Sequence, residues 1–292
     1  MIDLTVLILT KDEEENLPKC IASIGDLASR IVIVDSGSTD KTLAIARRLS
    51  EKAEAKGITI DIYSHEWEGF SAQLNWGFAH TDIRTEWIMR MDADEELTGK
   101  LREEIRERLP RMGEDVNGII LRRRVYFMGR WLKHGGKYPE LLLRIIRRGK
   151  GKCEERKMDE HLVITEGRTE TFRFDFADRN TKNLSWWTGK HNGYSELETE
   201  DFFRREIPAE EGKLSAQAKR KRRIKFGGYY RLPKFLRAHL YFIYRYYFRL
   251  GFLDGKEGKI YTFLQAYWYR FLVDAKIYEK EKKGLRKDRW NG

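Results

Sequence analysis

Four apolar runs punctuate the first hundred residues, separated by polar stretches with helical spacing, a rhythm that fits parallel strands joined by crossover helices. LTVLIL (4–9), RIVIVD (30–35), ITIDIYS (58–64) and EWIMRMD (86–92) read as the strands. Between them, Asn16 to Leu27 sets Leu17, Cys20, Ile21, Ile24 and Leu27 on one helical face. A second helix runs from about Lys41 to Ala55, with Asp40 as its cap, and a third from Ser71 to His80. The expected class is α/β, built on an open sheet.

After Asp94 the rhythm changes. Leu101 to Leu109 is a charged helix, and GIILRRRVYF (118–127) and LLLRIIRR (141–148) read as strands that make the sheet mixed. From about Phe202 the chain turns helical, basic and aromatic, with Lys219, Arg220, Lys221, Arg222, Arg223 and Lys225 in one cluster. The expected division is a sheet domain over 1–205, with a ligand-binding half (1–98) and an acceptor half (99–205), and a helical extension over 206–292.

A chain of 292 residues can bury one large core plus an appended layer. Hydrophobic residues at 41% and charged residues at 35% exclude a disordered chain and an integral membrane protein. A net charge of +11 asks for an anionic partner, which nucleic acid, anionic lipid or a phosphorylated glycan would each supply. The two cysteines, Cys20 and Cys153, lack any metal-ligand or disulfide spacing, which suits a reducing cytosol. Met1 to Leu9 reads as a strand and not a signal peptide, and no apolar run reaches the roughly 18 residues that a bilayer span needs. The expected location is cytoplasmic, with any membrane contact peripheral, on the inner face of the cytoplasmic membrane.

In open α/β sheets ligands bind outside the carboxyl ends of the strands, so those ends carry the chemistry. The first strand ends in Thr10, Lys11, Asp12 and Glu13 without glycine, which removes the support for a dinucleotide fold. The second ends in VDSGSTD (34–40): Asp35 can accept a hydrogen bond from a base or ribose, beside Ser36, and Gly37 permits a tight turn. The fourth ends in MDADEE (91–96), where Asp92 and Asp94 flank Ala93 and can hold a hard divalent ion that also bridges a diphosphate. Acidic triplets also begin many helices. Position at the end of an apolar strand, with the polar Gln73 and Asn75 on the preceding helix, gives this one its weight.

LTVLILTKDEEENLPKCIASI, RIVIVDSGSTDKT, FSAQLNWGFAHT and EWIMRMDADEEL together resemble the nucleotide-binding half of glycosyltransferase family 2. RKMDEHL (156–162), RNTKNLSWWTGKHNGYSELE (179–198) and RLGFLDGKEGKIYTFLQAYW (249–268) are similar to the family's branch of bacterial lipopolysaccharide core glucosyltransferases, so the resemblance covers nearly the whole chain. No QxxRW motif is present, which disfavours the processive synthases, and Asp12 stands where the family often has asparagine. The resemblance implies a GT-A fold: an open mixed sheet with a Rossmann-like nucleotide-binding half and a C-terminal helical extension. It further implies that Thr10, Glu13 and Asp35 contact uridine, that Asp92 contacts ribose or metal, and that Asp94 binds Mg²⁺ or Mn²⁺. Lys11, Ser36, Gly37, Gln73, Asn75 and Ala93 complete the nucleotide-binding set.

The implied reaction is an inverting displacement, which needs a base for the acceptor hydroxyl and a cation for the departing diphosphate. MDEHL offers Glu160 as that base, with Asp159 close behind. Lys190 and Tyr194 suit a diphosphate or the acceptor, and His191 is either a metal ligand or a packing residue. The expected partners are a UDP-sugar, a glycolipid such as the lipopolysaccharide inner core, and an anionic membrane surface. Aromatic residues from Tyr241 to Phe248, interleaved with Arg245 and Arg249, suit such a surface or the packing of helices. A nucleotidyltransferase on a sugar phosphate would want a glycine-rich phosphate loop after the first strand. A nucleic-acid-binding protein would leave the acidic strand ends unexplained, so nucleic acid is not an expected partner.

Overall fold

The first strand, β1 (Ile2–Thr10), is buried from Leu4 onward and lies between two parallel neighbours, so both of its faces carry apolar side chains. The computed structural model describes residues 1–156, 160–204 and 216–284. α1 (Leu17–Ile24), α2 (Thr42–Glu54) and α3 (Phe70–His80) alternate with β2 (Ala28–Asp35), β3 (Thr59–Ser64) and β4 (Trp87–Asp92), as the periodicity predicts. Asp40 accepts the Thr42 N–H at 2.9 Å and so stands at the mouth of α2.

The chain continues through β5 (Glu95–Leu97), α4 (Gly99–Arg108), β6 (Val116–Phe127), β7 (Arg130–Trp131), β8 (Glu140–Arg147), β9 (Gly151–Cys153), β10 (Leu162–Ile164) and β11 (Arg168–Asp178). The main sheet runs in the order β3-β2-β1-β4-β8-β6-β11-β5, parallel through its first four strands and mixed beyond. β1 is followed by β2 on one side and reached by β4 on the other, so the strand order reverses between β1 and β4, and a crevice opens outside their carboxyl ends. Register then decides which side chains meet there: Leu9 pairs with Asp92, and Thr10 with Asp35.

The helices that follow are α5 (Leu184–Arg204), α6 (Ala216–Gly227), α7 (Leu236–Ile243), α8 (Gly255–Thr262) and α9 (Tyr269–Lys282). α7 and α8 each run on into a π-helical segment, Tyr244–Phe248 and Phe263–Trp268. α9 packs along α5, and their shared core of Phe202, Tyr269, Val273 and Ile277 is separate from the two clusters that line the sheet. No helix among the described residues is long and apolar enough to cross a membrane.

Candidate functional site

One cleft of about 2150 Å³ opens over the strand ends, bounded by the sheet on one side and by α5, α6 and the π segment after α7 on the other. Thr10, Lys11, Glu13 and Ser36 line it from the ends of β1 and β2 and the turns after them, Asp92, Ala93 and Asp94 from the end of β4 and the turn after it, and Glu160, Lys190, His191 and Tyr194 from the later chain. Asp159 lies outside the described residues.

Asp92 lies on the floor between two guanidiniums. Arg90 stands 3.4 Å from its Oδ1 and Arg144 3.4 Å from its Oδ2. Burial would raise this carboxyl, but the two guanidiniums outweigh it and hold Asp92 well below the usual carboxylate range. Arg90 also reaches Glu160, at 3.5 Å, so one buried guanidinium joins the end of β4 to Glu160. Asp94 accepts Asn180 Nδ2 at 2.8 Å, and its carbonyl accepts the Arg179 N–H, which fixes it against the end of β11. Asp178, the last residue of β11, is pushed up to about 6 by burial and by the nearby charge of Asp94.

Asp92, Asp94 and Asp178 thus give the cleft an acidic pole of hard oxygens. Among the described residues no three acidic or imidazole groups are close enough together to cage a metal unaided. Two carboxylates with room for further oxygen ligands from a bound molecule is nonetheless a donor set of the kind that suits a hard divalent cation.

Asp35 lies beneath the floor. It is fully buried, and its two oxygens accept Thr10 Oγ1, Ser38 Oγ and the Gly37 and Ser38 N–H groups. Gly37 (φ +80°) turns the chain there and lines a shallow neighbouring hollow with Ser36 and His65, outside the main cleft. Gln73 and Asn75 are not among the side chains that line the cleft. Gln73 is fully buried and bonded to Ser36 Oγ and His65, while both ends of the Asn75 amide pair with the Cys153 backbone at 3.0 and 2.9 Å. A polar residue on an apolar helix marks a buried partner as readily as a ligand.

On the opposite wall His191 stacks on Trp187 with 3.5 Å between ring centroids, and its Nδ1 is 2.9 Å from the Trp187 carbonyl. Burial pushes its pKa down to about 4, so the ring is neutral and Nε2 is the nitrogen left with a lone pair. Lys190 lies over the rings of Trp186 and Tyr194. Burial disfavours its charge, but Tyr194 and Asp94 more than compensate and raise its pKa. Lys182 reaches Glu13 at 2.6 Å; burial nonetheless leaves the Glu13 carboxyl raised.

Sequence reasoning passed over Arg90, Arg144, Asp178, Asn180 and Lys182. Arg90 had a signal, a cation inside an otherwise apolar strand two residues before Asp92. Asp178 closes a strand just as Asp35 and Asp92 do, on a strand whose alternating charges hid it.

Residues 5–178, more than half of the chain, match the model of glycosyl transferase family 2. The chain belongs to glycosyl transferase family 2. This family 2 glycosyltransferase is 29% identical over 287 residues to the lipopolysaccharide core biosynthesis glycosyltransferase LpsC of Rhizobium meliloti, covering 96% of this chain and 93% of that one. It is 36% identical over 102 residues to an uncharacterized glycosyltransferase of Rickettsia bellii, of which it spans only 31%. Its fold is GT-A, shared with the mannosyltransferase PcManGT of Pyrobaculum calidifontis, solved with GDP-mannose and Mn²⁺, at a TM-score of 0.58 and 14% identity over 96% of this chain and 88% of that one.

Proposed function

We propose that this glycosyltransferase moves a sugar from UDP to a glycolipid acceptor of the lipopolysaccharide inner-core kind, with inversion and with a divalent cation. The observation that carries the reaction is the convergence of Asp92, Asp94 and Glu160 on one cleft, with Arg90 paired to both Asp92 and Glu160. Uridine rests on the resemblance of the four motifs in the first hundred residues. The acceptor class rests on the similarity to the core glycosyltransferase, which runs the length of both chains.

In this reading Thr10, Lys11, Glu13 and Ser36 seat the nucleoside above the buried Asp35 turn, and Asp92 faces ribose or metal. Asp94, with Asp92, would hold the cation that neutralises the departing diphosphate. Lys190 and Tyr194 approach the same diphosphate, or the acceptor, from the opposite wall. Glu160 takes the proton of the acceptor hydroxyl, kept in place by Arg90. Exposed apolar side chains on the C-terminal helices, Tyr247, Phe248 and Phe252 among them, rest on an anionic membrane where a glycolipid presents itself.

Two variants test the reaction, read by nucleoside diphosphate release over a panel of UDP-sugars and GDP-mannose with Mg²⁺ and Mn²⁺. Asp94→Ala loses metal-dependent turnover. Glu160→Gln binds donor as the wild type does and transfers about 10²- to 10⁴-fold more slowly. Normal transfer by Glu160→Gln rules out this base, and turnover of GDP-mannose alone rules out uridine.

A further inference from the structure

The C-terminal helices bury or half-bury several cations, and nearly all have a carboxylate. Arg237 pairs with Asp274, Arg270 and Lys225 with Glu198, and Arg222 with Glu154. Arg245 breaks the pattern. It is 7% exposed and donates to the Gly135 carbonyl and to Tyr241 Oη, yet among the described residues it forms no ion pair. Leaving a buried guanidinium without a counter-ion is costly, so an unpaired one that faces a cleft calls for an anion from outside.

Arg245 does not stand alone. Arg249, one turn further along, projects into the same space, and neither it nor Lys137 forms an ion pair among the described residues. The two guanidiniums meet at the turn of Gly135 and Gly136, both at positive φ, where a Cβ on Gly136 would lie 3.6 Å from Arg249 Nε and 3.8 Å from Arg245 Nε, and Lys137 follows that turn in the same cleft. The diglycine turn is held in place: the Gly135 N–H donates to the Arg249 carbonyl, and Asp254 accepts the N–H groups of Lys133 and His134. A π-helical segment, a distortion often found at functional sites, carries Arg245. Burial would raise the Tyr241 phenol beside them, but the field of Arg245, Arg270 and Lys137 pulls it down instead.

We propose that Arg245, Arg249 and Lys137 form a phosphate-binding subsite for the acceptor, distinct from the place of the donor's diphosphate. Three cations around one glycine turn match a phosphate monoester dianion in charge, and two guanidinium forks match its oxygens in shape. The subsite is built from the turn before β8 and the segment after α7, and none of its groups comes from the strands that carry Thr10 and Asp92 or from the turn that carries Asp94. Its assignment to the acceptor rests on the transfer reaction proposed above.

The test titrates inorganic phosphate into the full chain saturated with UDP and Mg²⁺, followed by calorimetry. Phosphate binds the UDP-loaded protein, and Arg249→Gln weakens that binding about tenfold, the usual worth of one charge-assisted contact. Lys259→Gln, which removes an exposed charge outside the cleft, leaves it within about twofold. With core-truncated lipopolysaccharide as acceptor, Arg249→Gln raises the acceptor KM and leaves the donor KM unchanged. Phosphate that binds only when UDP is absent, or an equal loss of UDP affinity in Arg249→Gln, would assign the guanidiniums to the donor and overturn the proposal. Unchanged phosphate affinity in Arg249→Gln would overturn the anion site itself. Failure of UDP to bind sinks the donor reading alone, and the phosphate titration still decides the subsite.

Discussion

Asp35 shows how a side chain at the end of a strand can be taken up by the turn it holds, beside the nucleotide contact proposed for it. Its carboxylate gathers two backbone N–H groups and two hydroxyls into the turn that ends β2, with no part of it exposed. Replacing it by alanine removes the acceptor of the Gly37 and Ser38 N–H groups and of the Thr10 and Ser38 hydroxyls, at about 0.5–1.5 kcal/mol for each hydrogen bond lost. Asp35→Ala should therefore lower the thermal midpoint by several degrees, at roughly 2–4 °C per kcal/mol for a chain of this size. Scanning calorimetry beside a donor-binding assay separates the two duties, because a variant that loses donor affinity with an unchanged midpoint would show that Asp35 acts on nucleotide alone. Asn75 teaches the complement: the sequence displays a polar side chain on an apolar helix, but only the fold reveals that the Cys153 backbone satisfies it.

At the scale of elements, the strands and helices up to β4 were legible because their apolar periods are long and uninterrupted, and the register that joins Leu9 to Asp92 follows from burying them. β11 was not legible, since RTETFRFDFAD places a charge at nearly every second position and looks like surface. Its Asp175 is in fact buried against Arg124 and Tyr138, a pairing invisible until the sheet closes. The attachment of α6 was equally hidden, because its partners are distant in sequence, among them Glu140, Glu198 and Glu154 of the segment after β9, which meets Arg222. Burial would raise the Glu154 carboxyl, yet hydrogen bonds from His161 and Arg222 bring it down to about 2. A carboxyl lowered on folding stabilises the protein fully above its unfolded value of about 4.5, and that stability is lost as pH falls toward the folded value. The difference sets an upper bound of about 3 kcal/mol lost between pH 4.5 and 2. Urea unfolding at pH 5 and pH 3 should show a shallower acid loss in Glu154→Gln than in the wild type, and equal slopes would exclude this contact as the acid-sensitive link.

For the molecule as a whole, charge and apolar surface are sorted in one direction. The acidic pole of the cleft belongs to the strand ends, whereas the chain from 212 to 253 contains no Asp or Glu and includes the cluster Lys219 to Lys225. On that same stretch Leu240, Ile243, Tyr247 and Phe248 are between 41% and 76% exposed, and Phe252 follows at 44%. Water-facing apolar groups of this density are costly unless another phase covers them, and an anionic membrane is the phase that the proposed function supplies. Each aromatic ring contributes up to about 1.5–3 kcal/mol when fully buried, and less at an interface. Phe248→Ser combined with Phe252→Ser should therefore weaken binding to phosphatidylglycerol vesicles by at least about tenfold. Salt should weaken the wild type as well, because the basic groups are screened over about 10 Å at 0.1 M. Both substitutions lie outside the cleft lining, so donor binding in solution should be untouched. Co-sedimentation with vesicles of graded phosphatidylglycerol content measures this directly, and a double variant that sediments like the wild type would show that these rings face something other than a bilayer.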